Sequence, residues 1–350
     1  MARTTPAGGR KDGPVTLALV AQRAGVSAQT VSNALNSPDL LAPRTLKRVR
    51  EAISDLDYRP HQAARSLRTR SSRLIGYGVH PTPTGLSTPV LDHFLHALSD
   101  SADKAGYRIL LFAAPTGTAN EAERYGELLR EHSLDAFVLS STFRGDRRPG
   151  WLQKRGVPFV AFGRWSARDT ADWVDVDGAH GTAAAVDHLV AAGHRKIAFL
   201  GWPRGSSVGD DRARGWREAM RRHSLPVREL RVQSLDDVDA ARDAIAPVLP
   251  GVTAVVAASD TLALGCYRAL RDSGRVPGQD VAVVGFDDSP AAGLLSPSLS
   301  SVHQPLEEVG RACTRLLVSR IQNPEAAPER VLLTPELVVR ESSTAPLPGR

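Results

Sequence analysis

The sequence predicts an N-terminal helix-turn-helix, three-helix headpiece plus hinge, followed by an α/β body of two lobes. Three observations predict it. Apolar residues recur at helical spacing on three short segments before residue 57, and short β-branched runs alternate with amphipathic helices beyond Ser72. Charge is also unevenly spread: residues 1–73 hold 13 Lys/Arg against 5 Asp/Glu, whereas the remaining 277 residues hold 31 against 33, in a chain of net charge +6. A basic end on a near-neutral body implies an acidic partner bound at that end.

Residues 1–14, rich in Gly, Thr and Arg, read as a disordered basic tail. Residues 15–36 read as two helices joined by a tight turn. Leu17, Val20, Ala21 and Ala24 fall at i, i+3, i+4 and i+7 and line one face of the first helix. Gly25 supplies the left-handed exit, Val26 plugs the corner, and Ser27 caps the next helix. With Val31 and Leu35 turned inward, Ala28, Gln29, Ser32 and Asn33 stand on the outer face of a helix suited to the DNA major groove. An ordinary amphipathic hairpin would show the same spacing, but a third helix follows at once over 43–56, with Leu46, Val49 and Ile53 on one face. The headpiece spans 15–59. Residues 57–70 are basic, helix-capable and poor in apolar side chains, a hinge that orders on a polyanion.

In the body, strands are expected over Arg73–Val79, Arg108–Ala113, Ala136–Ser140, Pro158–Phe162, Lys196–Gly201, Ala254–Ala258 and Val281–Phe286. Helices are expected over Val90–Ala105, Ala119–His132, Gly178–Ala191, Asp210–Arg222, Val238–Leu249 and Thr261–Ser273. This many strands suits two parallel sheets better than one. Ligands of such units bind beyond the carboxyl ends of strands. The candidates there are His80, Arg164, Trp165, Ser259, Asp260 and Asp287, with Trp202 and with Arg212 in a helix opening after the Gly201–Gly209 loop. A carboxylate and a guanidinium converging on a cleft can bind neighbouring hydroxyls, and an indole packs on a sugar ring, so a carbohydrate is the favoured ligand. Asp260 equally suits a helix N-cap, Asp288 a loop turn, and Trp165 and Trp202 plain lobe packing. Cys266 and Cys313, in helix-like segments without metal-ligand spacing, suit buried packing.

The residues Thr16, Leu17, Val20, Ala21, Ala24 to Ser27, Thr30 to Ser32 and Asn36, then Tyr58 to Pro60 and Ala63 to Leu67, resemble the lactose-repressor (LacI/GalR) family of bacterial transcription regulators. The resemblance continues through Gly193 to Ala198, Arg212, Gly215 and Trp216, Ser259 and Asp260, Gly285 to Asp288, and Pro297 to Pro305. It covers roughly residues 15–342. The family usually carries arginine where Asn33 stands and asparagine where His61 stands.

The resemblance implies a periplasmic-binding-protein-like effector-binding and dimerisation domain over 73–342, a hinge over 60–72 and a tail over 343–350. It places lobe 1 at 73–176 and 304–328 and lobe 2 at 177–301 and 331–342, with chain crossings near Val176, Ser301–Gln304 and Arg330. It further implies a homodimeric repressor on a pseudo-palindromic double-stranded DNA operator, controlled by a small effector between the lobes. Thr16, Ser27, Thr30, Ser32, Asn36 and Arg59 would contact phosphates, and Gln29 and Asn33 bases. His61 would lie in the hinge, with Leu67 wedging into the minor groove. Arg212 and Asp287 would be recurring effector contacts, and Ser259 stands where asparagine often acts.

Other classes fit less well. Gly205 to Gly209 matches a nucleophile elbow with Ser207, and Ser207, Asp287 and His303 keep the order of an α/β-hydrolase triad. Trp202 to Gly205 nevertheless intervene between strand and serine. No Walker-A loop or strand-linked Gly-x-Gly-x-x-Gly occurs, and no cofactor or metal is expected. A free-standing sugar-binding transport protein would share the body but not the headpiece. The absence of an 18-residue apolar run and of an apolar signal region leads to the expectation of a bacterial cytoplasmic protein without membrane insertion.

Overall fold

The structure, a computed structural model, describes residues 15–58, 71–79, 89–114, 121–132, 134–165 and 170–344. The expectations for the tails at 1–14 and 345–350, and for the segment 59–70, lie outside the described residues. The chain divides into two compact units, Met1–Ser72 and Arg73–Arg350.

In the first unit, α1 (Leu17–Ala24), α2 (Ala28–Asn36) and α3 (Pro43–Asp55) enclose a small core of Val20, Ala21, Ala24, Val31, Ala34, Val49, Ala52 and Tyr58. Leu17, Leu35, Leu46 and Ile53 are half-buried around it, so the inward faces read from spacing are the faces that pack.

The second unit contains two six-stranded sheets. The first holds β1 (Leu74–Val79), β2 (Arg108–Ala113), β3 (Ala136–Leu139), β4 (Phe159–Phe162), β5 (Trp173–Val176) and β11 (Arg330–Leu333), in the order β11-β5-β4-β3-β1-β2. The second holds β6 (Ile197–Gly201), β7 (Arg231–Gln233), β8 (Ala254–Ala257), β9 (Ala282–Asp287), β10 (Ser300–His303) and β12 (Glu336–Val338), in the order β12-β10-β9-β8-β6-β7. Only β12 runs antiparallel to its neighbour; the two sheets otherwise repeat one doubly wound topology.

Helices α4 (Pro89–Lys104), α5 (Glu121–His132) and α6 (Arg148–Gln153) belong to the first lobe, with α12 (Leu306–Gln322) returning to it. Its Leu306, Val309, Cys313, Leu316 and Leu317 complete the core around Ile75, Phe94 and Val160. Gly310 allows α12 to approach α4 closely, because a Cβ there would stand 2.7 Å from the Ala97 carbonyl carbon. The second lobe carries α7 (Gly178–Ala191), α8 (Ser207–Arg222), α9 (Val238–Ile245), α10 (Asp260–Asp272) and α11 (Pro290–Leu294) around a continuous aliphatic core. Both cysteines are buried free thiols, and burial pushes Cys266 up to about 12.

Two expected boundaries are corrected. Arg330–Leu333 pairs with Trp173–Val176 in the first sheet, so the third crossing lies at Thr334–Pro335 and residues 331–333 do not belong to lobe 2. Ser343, expected at the start of the tail, packs with Ser342 against the second lobe. They are buried, the Ser342 hydroxyl donating to Val283 O at 2.6 Å and Ser343 Oγ lying 2.7 Å from Ser300 Oγ. No helix among the described residues is long and apolar enough to cross a membrane.

Candidate functional site

The first candidate surface is built by the headpiece turn. Thr16 caps α1 by accepting from Leu19 N at 3.3 Å. Gly25 takes φ +62°, the left-handed conformation in which its N–H and that of Val26 close onto the last turn of α1. Ser27 accepts from Thr30 N at 3.1 Å and opens α2. Arg48 of α3 clamps the corner: its guanidinium donates to Ala24 O at 2.7 and 3.2 Å and to Gly25 O at 3.0 Å. The turn is therefore held from both sides.

With Val31 and Ala34 buried, α2 presents Ala28, Gln29 and Asn36 fully exposed and Thr30, Ser32 and Asn33 partly so. Gln29 Nε2 donates to Asn33 Oδ1 at 2.9 Å, and Asn36 Nδ2 to Ser32 O at 2.6 Å. The expected readers thus sit together on one outer face. Arg59, His61, Leu67 and His80 lie outside the described residues.

The second candidate is a cleft of about 530 Å³ between the two lobes. Nearly every polar group in it hangs from the carboxyl end of a strand. Lobe 1 contributes Ser141, Thr142 and Phe143 after β3, Phe162 and Gly163 at the end of β4, and Asp175 of β5. Lobe 2 contributes Trp202, Leu235, Asp236, Asp287 and Gln304, with Arg212 from α8. The loop after β3 is pinned from below by a buried ion pair, Arg148 to Asp146 at 2.7 Å, whose guanidinium also reaches Ser140 O at 3.0 Å.

At the floor, Arg212 lies under Trp202 and Phe286, 5.4 and 3.6 Å from their ring centroids. Its Nη1 donates to Ala258 O and pairs with Asp287 Oδ1 at 3.4 Å. Gln304 Nε2 donates to the same carboxylate oxygen at 2.7 Å. Burial holds the Arg212 guanidinium below its ordinary range. Burial also pushes the Asp287 carboxyl up to about 8, Arg212 opposing this only in part. Asp287 and Asp288 adopt φ +115° and +50°, strained for residues with a side chain, and the reversal sends the two carboxylates to different tasks. Asp288 pairs with Arg340 at 2.6 Å and His303 at 3.1 Å, away from Arg212. The buried donors Arg212 Nε and Trp202 Nε1 have no partner among the described residues and can serve a ligand's oxygens.

Of the effector candidates, the structure brings Trp202, Arg212 and Asp287 into the cleft lining. Ser259 and Asp260 are not in it. Ser259 caps α10 through Leu262 N at 3.2 Å and donates to Asp236 at 2.6 Å. Asp260 is buried and accepts from Ser301 Oγ at 2.6 Å and Ser289 N at 2.7 Å. Gly285 is small because a Cβ there would stand 2.3 Å from Asp260 Oδ1. Trp165 packs on Phe159 in the lobe 1 core. Arg164 and Trp165 line an adjoining hollow between the lobes that shares Asp175 with the first, and Arg164 bridges the lobes there, pairing with Asp175 at 2.6 Å and Asp211 at 3.1 Å. Gln304, Asp175 and Asp236 were missed from sequence, because they sit on or just beyond β10, β5 and β7, short strands whose polar residues break the apolar run that marked β3, β4 and β8.

Two family models match the chain: bacterial regulatory proteins of the lacI family over residues 16–61, and a periplasmic binding protein-like domain over 186–343. The HTH-type transcriptional regulator CelR of Thermobifida fusca is 36% identical, across 93% of this chain and 98% of its own. The chain belongs to the LacI family of bacterial transcriptional regulators. A solved CelR–cellobiose complex shares 34% identity at a TM-score of 0.73, covering 94% of this chain and 100% of that one. The lac repressor dimer bound to operator and an anti-inducer reaches a TM-score of 0.85 at 26% identity, covering 95% and 100%. Helix-turn-helix headpiece and two-sheet body thus recur together along nearly the whole length.

Proposed function

We propose that this LacI-family regulator is a cytoplasmic repressor that binds a pseudo-palindromic operator as a homodimer and releases or tightens it in response to a sugar held between the lobes. The observation that carries the reading is the buried Arg212–Asp287 pair beneath Trp202, in a cleft at the strand ends of both sheets. Paired hydroxyls of a sugar satisfy a carboxylate and a guanidinium at once, and an indole covers the apolar face of the ring. The relatives named for cellobiose and for an operator support both halves of the reading.

In this mechanism Thr16, Ser27, Thr30, Ser32 and Asn36, with Arg59, fix the headpiece on phosphates, and Gln29 and Asn33 read base edges. The hinge with His61 and Leu67 enters the minor groove. A sugar that prefers one lobe arrangement shifts the population of that arrangement and with it the operator affinity. No catalytic step is assigned: Ser207, the elbow candidate, is the first residue of α8 behind its cap Ser206 and not a turn directly off β6. The test is calorimetry with cellobiose and ribose, paired with operator titrations. Binding of either sugar that changes operator affinity supports the reading, and a protein that binds neither, with an operator affinity indifferent to both, overturns it.

A further inference from the structure

The cleft lining holds three carboxyl groups. Besides Asp287 it carries Asp175 and Asp236, and Arg212 is the single cation lining it among the described residues. Asp175 is already engaged: its carboxylate accepts from Val176 N at 2.9 Å and from Arg164 at 2.6 Å. Asp236 is different. It stands exposed in the loop after β7, accepts from Ser259 Oγ at 2.6 Å, and forms no ion pair among the described residues. A carboxylate offers about four acceptor positions, so most of its capacity remains for a ligand. Its charge is felt at the floor, where it raises both the Arg212 guanidinium and the Asp287 carboxyl.

We infer that Asp236 is the specificity-determining residue that selects uncharged sugars over their phosphate esters and acids. This rests on the reading of the cleft as a sugar site. An uncharged sugar donates hydroxyls to the free carboxylate positions. A phosphorylated one must bring its charge beside Asp236, where like charges repel, while the attraction that Arg212 would exert on it is offset. Leu235, 69% exposed at the same rim, offers apolar contact but no donor to answer a phosphate.

The experiment uses full-length protein and four probes: cellobiose, cellobiose 6′-phosphate, ribose and ribose 5-phosphate, each titrated by calorimetry against the parent, Asp236→Asn and Asp236→Lys. The parent should bind the preferred sugar roughly tenfold or more tightly than its ester. Asp236→Asn keeps an acceptor for Ser259 and should shrink that ratio to within about threefold, and Asp236→Lys should reverse it. A mere packing role would weaken sugar and ester alike and leave the ratio unmoved. A parent that binds ester and sugar equally, or a ratio unchanged in both variants, overturns the inference while leaving the sugar site intact. Failure of all four probes to bind the parent overturns the sugar reading, and this inference with it.

Discussion

Asp287 holds a positive φ, is half-buried at the cleft floor, and pairs with the buried Arg212. Asp287→Ala or Arg212→Ala should abolish the effector response while operator binding stays near the parent value, because neither residue lies in the headpiece; paired calorimetry and anisotropy titrations check this. The pair's pH dependence has a definite sign. With the carboxyl raised from its ordinary value of about 4 to about 8, the folded chain holds a proton that the unfolded chain has lost, so this group's stability contribution falls as pH rises through that window. Melting temperatures of parent and Asp287→Asn should therefore diverge in the variant's favour from about pH 5 to about pH 8. Gly215 makes a sharper steric prediction. A Cβ there would stand 2.0 Å from Ala179 O, so Gly215→Ala should force α8 off α7 and lower the melting temperature by several degrees, a loss of about 1–3 kcal/mol.

At the scale of elements, the headpiece shows what sequence discloses best. The Ser27 cap, the turn glycine and helical spacing are local signals, so Gly25, Ser27 and the Gln29–Asn33 face were legible, while the Thr16 cap was not read. Arg48 was not, because its partners Ala24 O and Gly25 O lie more than twenty residues away and nothing in its own helix marks them. Arg48→Ala should loosen the turn by about 2 kcal/mol and weaken operator binding across all sequences, whereas Gln29→Ala should cost about 1–3 kcal/mol on the preferred operator and relax selectivity at one base pair per half-site. Operator selection from a random pool separates the two; equal relaxation by both would show that the wrong face was assigned. In the body, even the four-residue strands β3, β4 and β8 were read within a residue, because they are wholly apolar, whereas the equally short β5, β7, β10, β11 and β12 each carry a polar or charged residue. A short run broken by polar residues carries neither a period nor an apolar block, and with those strands went Asp175, Asp236 and Gln304.

For the whole molecule, the division of charge was the most informative global feature, and it belongs to the unit that ends at Ser72. Operator affinity should accordingly fall steeply with salt, with a slope of about −5 to −9 in log affinity against log salt for a dimer neutralising several phosphates per half-site. Removal of residues 1–71 should abolish operator binding and leave sugar binding intact. Lobe assignment was less legible than charge. The resemblance set the third crossing near Arg330, a few residues early, because only the pairing partners of Arg330–Leu333 and Glu336–Val338 tell which sheet each joins.

Those crossings also impose an order on biosynthesis. Residues 177–303 supply the second lobe with five of its six strands in one uninterrupted stretch. The first lobe begins earlier yet cannot finish, because α12 and β11 emerge only after that stretch has left the ribosome. Until then Ile75, Phe94 and Val160 lack Leu306, Val309, Cys313 and Leu317, and the β5 edge waits unpaired. The lobe translated first is thus completed only after five strands of the second have emerged, so a nascent chain stalled between Gln304 and Leu333 should be the species most in need of a chaperone.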